Sequence, residues 1–324
     1  MEVVKYFESA PNENSIVLIC VIRDELLLLP AFIEHYRTLG VSHFIFIDNG
    51  SHDDSLLFLQ KQQEGVQIQI WQTLDSYAEN DYGMIWVNKV LSSQCKEMWC
   101  VVVDADEFVV LNGQLLPELK QQLERNFHSV AQFVLIDFYP REFTNYSVDN
   151  SKYKNPFLSS SFYDRIRSRQ YHYFDLAPDN SFVIKGGVRQ RIYQGLPANN
   201  QSVCLNKKSF FRYDFYNTHR LSAGMHWLFP HDFENWNYDN WDVSNQFVSY
   251  QERIHVIAHF KFARPDIYEY FLTRIERNQD WNNSEEFKSY LLNRKASFFD
   301  PIESREFSSS ARLYDDTVNA LMSK

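Results

Sequence analysis

Cysteine is scarce in this 324-residue chain: Cys20, Cys95, Cys100 and Cys204 are too few and too scattered to staple a fold with disulfides. Cys20 and Cys100 lie inside strand-like apolar runs, where buried reduced thiols are ordinary. Long apolar runs are missing as well. The best candidate, residues 15–32, is cut by Arg23, Asp24 and Glu25 and so falls short of the roughly 18 apolar residues that a spanning helix needs. The first fifteen residues carry Glu2, Lys5, Glu8 and Glu13 without an unbroken apolar core, so they do not read as a secretion signal. A basic surplus is also lacking. Against 32 Lys and Arg stand 42 Asp and Glu, and the net charge of −10 repels polyphosphate, which argues against nucleic acid as a partner. There is no internal repeat and no low-complexity linker, and the prolines are dispersed without marking a boundary. These absences point to a reduced, cytoplasmic chain with no transmembrane segment, and leave peripheral contact with the inner face of a membrane open.

Apolar material is plentiful: 27 Phe, 19 Tyr and 7 Trp supply enough surface to outweigh the entropy of ordering a sizeable core. Residues 16–22 form a β-branched run of the kind buried on both faces of a sheet, followed by polar Arg23, Asp24 and Glu25. Pro30 can open a helix whose Phe32, Ile33, Tyr36 and Leu39 share a face, and Gly40 can end it. The rhythm then repeats. Residues 43–48 read as a strand, 49–54 as a polar turn, 55–64 as a helix closed by Gly65, 66–71 as a strand, 82–95 as a helix and 99–103 as a fourth strand. Such alternation predicts a parallel sheet with helices on both sides. Beyond residue 115 the pattern weakens to a helix over 115–126 and a strand over 133–139, with helical spacing returning over 264–278 and 285–295.

The fourth strand ends in Asp104, Asp106 and Glu107. In extended chain, residues two apart point the same way, so Asp104 and Asp106 can aim at one point. Paired hard oxygen donors at the carboxyl end of a buried strand suit Mg²⁺ or Mn²⁺; a solvated acidic turn is the blander alternative. Residues 185–191, KGGVRQR, set Lys185 and Arg189 around two glycines, either as an anion-binding turn or as a hairpin with a solvated basic face. Aromatics crowd residues 227–241, as a sugar-stacking surface or as core.

Four segments in order resemble family 2 type glycosyltransferases. Residues 102–110, VVDADEFVV, look like that family's D-x-D-E-F segment. Residues 22–40, IRDELLLLPAFIEHYRTLG, are similar to its first strand with a basic residue, an acidic pair and a helix ending at glycine. Residues 46–55, FIDNGSHDDS, look like its second-strand motif, and residues 259–278, HFKFARPDIYEYFLTRIERN, are similar to the closing segment of the branch that also resembles the former domain-of-unknown-function glycosyltransferases. Residues 208–212 and 224–226 resemble that branch's K-x-x-x-R and G-x-H elements.

The resemblance implies an α/β protein of the GT-A fold: a Rossmann-like, mostly parallel central sheet flanked by helices, an acceptor-side region and a helical C-terminal tail. Residues 1–115 would form the nucleotide-sugar half, 116–265 the acceptor half and 266–324 the tail. It also implies a nucleotide-diphosphate sugar donor, a glycan or lipid-linked glycan acceptor, and Mn²⁺ or Mg²⁺. Carried over by position, Glu25 and Asp48 lie at the nucleotide, although the family usually has asparagine where Asp24 stands. Asp104 lies near ribose and metal, Asp106 is the direct metal ligand, and His259 is the third metal position. The family's K-S pair after that histidine is replaced here, with Lys261 and Ala263 nearby, and Lys261 is carried over as a donor-phosphate contact. The acceptor hydroxyl must lose a proton, and Asp232, Glu234 or Asp239, after the G-x-H element, could take it, Asp232 being preferred over Glu234. The rival readings are a Mg²⁺-dependent phosphohydrolase using the same aspartates and a non-catalytic carbohydrate-binding protein.

Overall fold

A computed structural model describes residues 1–61, 65–142, 155–166, 172–175, 182–192, 204–213, 219–222, 224–230, 254–277, 284–292 and 297–322. The first half runs β1 (Glu2–Lys5), β2 (Ile16–Ile22), α1 (Leu29–Thr38), β3 (His43–Asp48), α2 (Ser55–Gln60), β4 (Gln67–Gln72), α3 (Met84–Gln94), β5 (Trp99–Val102), β6 (Glu107–Val110), α4 (Leu116–Arg125) and β7 (Val130–Tyr139). There follow α5 (Pro156–Ser159), β8 (Phe162–Asp164), β9 (His172–Asp175), β10 (Phe182–Lys185), α6 (Gly187–Ile192), β11 (Asn206–Arg212), β12 (His219–Ser222), β13 (Trp227–Pro230) and β14 (Ile254–His259). The chain closes with α7 (Ile267–Arg277), α8 (Glu285–Leu292), β15 (Ser304–Glu306), α9 (Ser310–Asp316) and α10 (Val318–Met322).

The main sheet has the order β1-β4-β3-β2-β5-β11-β7-β14-β6. Six of these strands (β2, β3, β4, β5, β7 and β14) run one way and three (β1, β6 and β11) the other, so the sheet is mostly parallel, as expected. Its parallel half follows directly from the sequence, because β2, β3 and β5 are buried along their whole length apart from half-buried Val21 and must be covered by helices on both faces. Helix α1 covers one face with Leu29, Phe32, Ile33 and Tyr36, and α3 covers the other with Met84, Trp86, Val87, Val90 and Leu91. Gly40 ends α1 with φ of 99°, and a Cβ there would lie 2.7 Å from the Pro117 ring, so the stop also lets α4 approach.

The far half is where sequence and structure part. Strand β11 is inserted between β5 and β7, antiparallel to both, although its sequence, NKKSFFR, is largely polar. Strand β6 begins at Glu107 itself and pairs with β14. The extended alternation expected of Asp104 and Asp106 gives way to a tight turn between β5 and β6, closed by the Glu107 N–H donating to the Asp104 carbonyl at 3.0 Å. Helices α7 and α8 fall on the two stretches of helical spacing, 264–278 and 285–295, and α9 follows with Tyr314 donating to the Val110 carbonyl at 2.8 Å to cover the outer strand. The four cysteines are free, with Cys20 and Cys100 buried in β2 and β5. Among the described residues, no helix is long and apolar enough to cross a membrane.

Candidate active site

A cleft opens at the carboxyl ends of β2 and β5, bounded by the 104–106 turn, the end of β14 and helix α7. Its lining mixes carboxylates, Glu25, Asp104 and Asp106, with cations, Arg23, Lys261, Arg274 and Arg277. The turn stands on a rigid base, since Phe108 packs edge-on against Phe32 at 5.8 Å and Phe260 at 5.2 Å. Tyr36 reaches from α1 to donate to the Glu107 carbonyl at 2.8 Å and to accept from the Val109 N–H at 3.1 Å, which fixes the start of β6.

Strand pairing brings three chemical groups side by side. His259 on β14 is in register with Glu107 on β6 and with Asp137 on β7. His259 Nδ1 donates to Asp137 Oδ1 at 2.6 Å, and its Nε2 stands 3.3 Å from Asp106 Oδ2. Asp137 is in turn gripped by Arg189, whose Nε donates to Oδ2 at 2.8 Å. Burial alone would weaken proton binding at His259, but the two carboxylates on its ring outweigh it and push the imidazole up to about 9. Asp106 is held well below the usual carboxylate range, its own burial being overcome by His259, Lys261 and Lys207.

A second buried pair lies under the turn. Lys207 Nζ, from β11, sits 2.8 Å from Glu107 Oε1 and 3.7 Å from Asp104 Oδ2, and donates to the Gly224 carbonyl at 2.8 Å. Burial nonetheless pushes the Glu107 carboxyl up to about 7. Glu25 is likewise pushed to about 7, burial outweighing Arg264, whose Nη1 lies 3.4 Å away.

The expected site residues therefore separate. Glu25, Asp104, Asp106, His259 and Lys261 converge on the cleft. Asp48 is fully buried outside its lining and accepts from the Ser51 N–H at 3.1 Å and from the Gln72 amide at 3.2 Å. Lys185 is buried at the end of β10, and Arg189 is turned inward onto Asp137. The two glycines between them, with φ of 123° and 79°, make the junction from β10 to α6 rather than a hairpin. Lys261 Nζ donates to Glu286 at 3.0 Å and lies 4.7 Å over the Phe287 ring. Asp232, Glu234 and Asp239 lie outside the described residues, as do Trp236, Tyr238 and Trp241.

Asp24 has a left-handed backbone, φ 58°, a conformation that asparagine and aspartate tolerate best among non-glycine residues. Its Oδ1 accepts from the His52 and Asp53 N–H groups, at 2.5 and 3.2 Å, and its Oδ2 pairs with Arg277 at 2.8 Å. Sequence reasoning missed Asp137, Lys207, Arg23, Arg274 and Arg277. Signals were present: Asp137 interrupts the apolar run FVLIDFY, and Tyr270, Arg274 and Arg277 recur at the spacing of one helix face.

The donor set can be tested for a divalent ion. Two cis ligands with bonds of ~2.1 Å stand ~3 Å apart, close to the 3.3 Å between His259 Nε2 and Asp106 Oδ2. A carboxylate on the far nitrogen is the usual support of a ligating histidine. Among the described residues no three His, Cys, Asp or Glu side chains form a ready metal cage, so an ion here would take two protein ligands and fill its remaining positions from phosphate and water.

No family model and no curated protein matches the chain. Solved structures of S. aureus TarS are similar to it. Residues 1–349 of TarS align at 12% identity and a TM-score of 0.32, covering 86% of this chain and 71% of that one. The same fragment in complex with UDP gives 11% and 0.32 over the same shares. A longer TarS chain gives 13% and 0.36, with 43% of that chain covered. At values this low, the chemistry has to be judged from this chain's own residues.

Proposed function

We propose that the protein is a metal-dependent glycosyltransferase that moves a sugar from a nucleotide-diphosphate sugar to a glycan or lipid-linked glycan, with inversion, in the synthesis of a surface polysaccharide such as lipopolysaccharide or capsule. The observation that carries this reading is the cleft itself. Asp106 and His259 stand at ligand spacing, and Lys261, Arg274 and Arg277 share the same lining. A diphosphate suits such a lining chemically, since it offers oxygens to a divalent ion and to guanidinium groups at once.

Glycosyl transfer builds negative charge on the departing diphosphate. Mn²⁺ or Mg²⁺, held by Asp106 and His259 with Asp104 at the rim, would neutralise it without proton transfer. Arg274 and Arg277 add fixed positive charge from α7, and Glu25 orders Arg264 beside them. Asp232, with Glu234 as its alternative, is proposed to take the proton of the acceptor hydroxyl. The cytoplasmic face of a membrane is the proposed workplace, since lipid-linked acceptors are presented there.

The test is transfer from labelled nucleotide sugars to glycan and lipid-linked glycan acceptors in Mn²⁺ buffer. Label appearing in the acceptor supports the proposal. Nucleotide-sugar hydrolysis that no acceptor redirects would favour the phosphohydrolase, and absence of nucleotide binding would favour a non-catalytic protein.

A further inference from the structure

We propose that Asp137 is a positioning residue that fixes the tautomer of His259, with Arg189 setting which way Asp137 faces. The inference rests on the reading of the cleft as a metal-assisted donor site, and it concerns residues that the cleft does not itself expose. Asp137 is 3% exposed and Arg189 6%. Both carboxylate oxygens are committed: Oδ2 accepts from Arg189 Nε at 2.8 Å and Oδ1 from His259 Nδ1 at 2.6 Å.

A carboxylate can only accept, so the proton on this edge of the ring must sit on Nδ1. In the ion-bound form, where the ring carries a single proton, that proton stays on Nδ1 and the Nε2 lone pair faces the ion beside Asp106. The strand register makes the arrangement hard to slip, because His259 and Asp137 are direct neighbours on the parallel pair β14 and β7. Arg189 is anchored as well, at the first turn of α6, with Glu286 3.9 Å from its Nη1.

The consequence can be read from an isosteric change. In Asp137→Asn the side chain has one acceptor and one donor end. Arg189 can only donate, so it takes the amide oxygen and leaves the NH₂ facing His259 Nδ1. Nδ1 must then accept, the proton moves to Nε2, and the nitrogen facing Asp106 loses its lone pair. Metal affinity falls although no ligand has been removed.

Two measurements on the full chain test this. Calorimetric titration with Mn²⁺ alone, without donor, should show binding to wild type and a 10–100-fold loss in Asp137→Asn, the range seen when a ligating histidine loses its support. Nitrogen-15 spectra of labelled histidines, with Zn²⁺ as a diamagnetic probe and His259→Gln for assignment, should show the proton on Nδ1 in wild type and on Nε2 in the variant. Unchanged Mn²⁺ affinity in Asp137→Asn overturns the role, as does a wild-type protein that binds no Mn²⁺. Should the variant not fold, the wild-type spectrum decides, and a proton on Nε2 of the Zn²⁺-bound ring contradicts the assignment. Sugar transfer by wild type, assayed separately, keeps the two readings apart: transfer together with unchanged affinity in the variant rejects the role of Asp137 and leaves the glycosyltransferase standing.

Discussion

Lys207 is the side chain on which the acidic turn rests, and it shows how a site can depend on a residue buried outside the cleft lining. With 5% of its side chain exposed, it neutralises Glu107, 1% exposed, and reaches Asp104 as well. Removing one partner of a buried pair leaves the other charge uncompensated, so Lys207→Met should destabilise the fold by about 3 kcal/mol at pH 8. At pH 5 the loss should be smaller. The Glu107 carboxyl has a folded-state value of about 7, above its ordinary 4.5, so it is already protonated there and no longer needs the cation. Urea unfolding of the variant at the two pH values checks this, and an equal loss at both would mean that Glu107 is not the group being neutralised. At the proposed ligand the effect should fall on chemistry: Asp106→Asn should abolish metal-dependent transfer while the variant still folds, as its circular dichroism would show.

At the scale of elements, α7 and β14 connect the far end of the chain to the turns that follow β2 and β5. Helix α7 presents Arg274 and Arg277 to the cleft, and Arg277 is tied to the β2 loop through Asp24. Replacing both arginines by Ala should raise the KM for donor roughly tenfold or more while changing kcat less, since charge-assisted contacts of this kind contribute on the order of 1.5–3 kcal/mol. Steady-state kinetics separate the two constants, and an unchanged KM would remove α7 from the donor site. Strand β14 offers a second check. His255 is buried, with Nδ1 3.0 Å from the Tyr314 hydroxyl, and burial pulls it down to about 4 from its ordinary 6.5. The unfolded chain therefore binds a proton that the fold excludes, and the contribution of this neutral residue is lost as pH falls from about 6.5 toward 4. Between pH 7.5 and 4.5 wild type should lose roughly 2–3 kcal/mol relative to His255→Phe. A pH-independent difference would show that the imidazole can be charged in place.

Across the whole molecule, what could be read in advance was whatever local periodicity decides. β2, α1, β3, β4, α3 and β5 came from runs whose burial is fixed by neighbours a few residues away, and the 104–107 segment was found because it ends such a run. The reasons for the misses are equally physical. β11 reads as polar because Lys207 is buried by Glu107, a hundred residues earlier in the chain, and no local pattern reveals that pairing. Arg189 read as a phosphate contact because its glycine neighbours suggest a turn, yet Asp137 claims it from β7, a strand otherwise apolar from Phe133 to Tyr139. His259 was legible only by resemblance, and its contact with Asp106 exists because β14 lies between β7 and β6. That convergence is the centre of the account, and calorimetry of a panel of nucleoside diphosphates with and without Mn²⁺ tests it most directly. One diphosphate should bind wild type in Mn²⁺ and lose at least tenfold in affinity both in chelator and in Asp106→Asn. Equal binding under all three conditions would contradict a metal-held donor at Asp106 and His259.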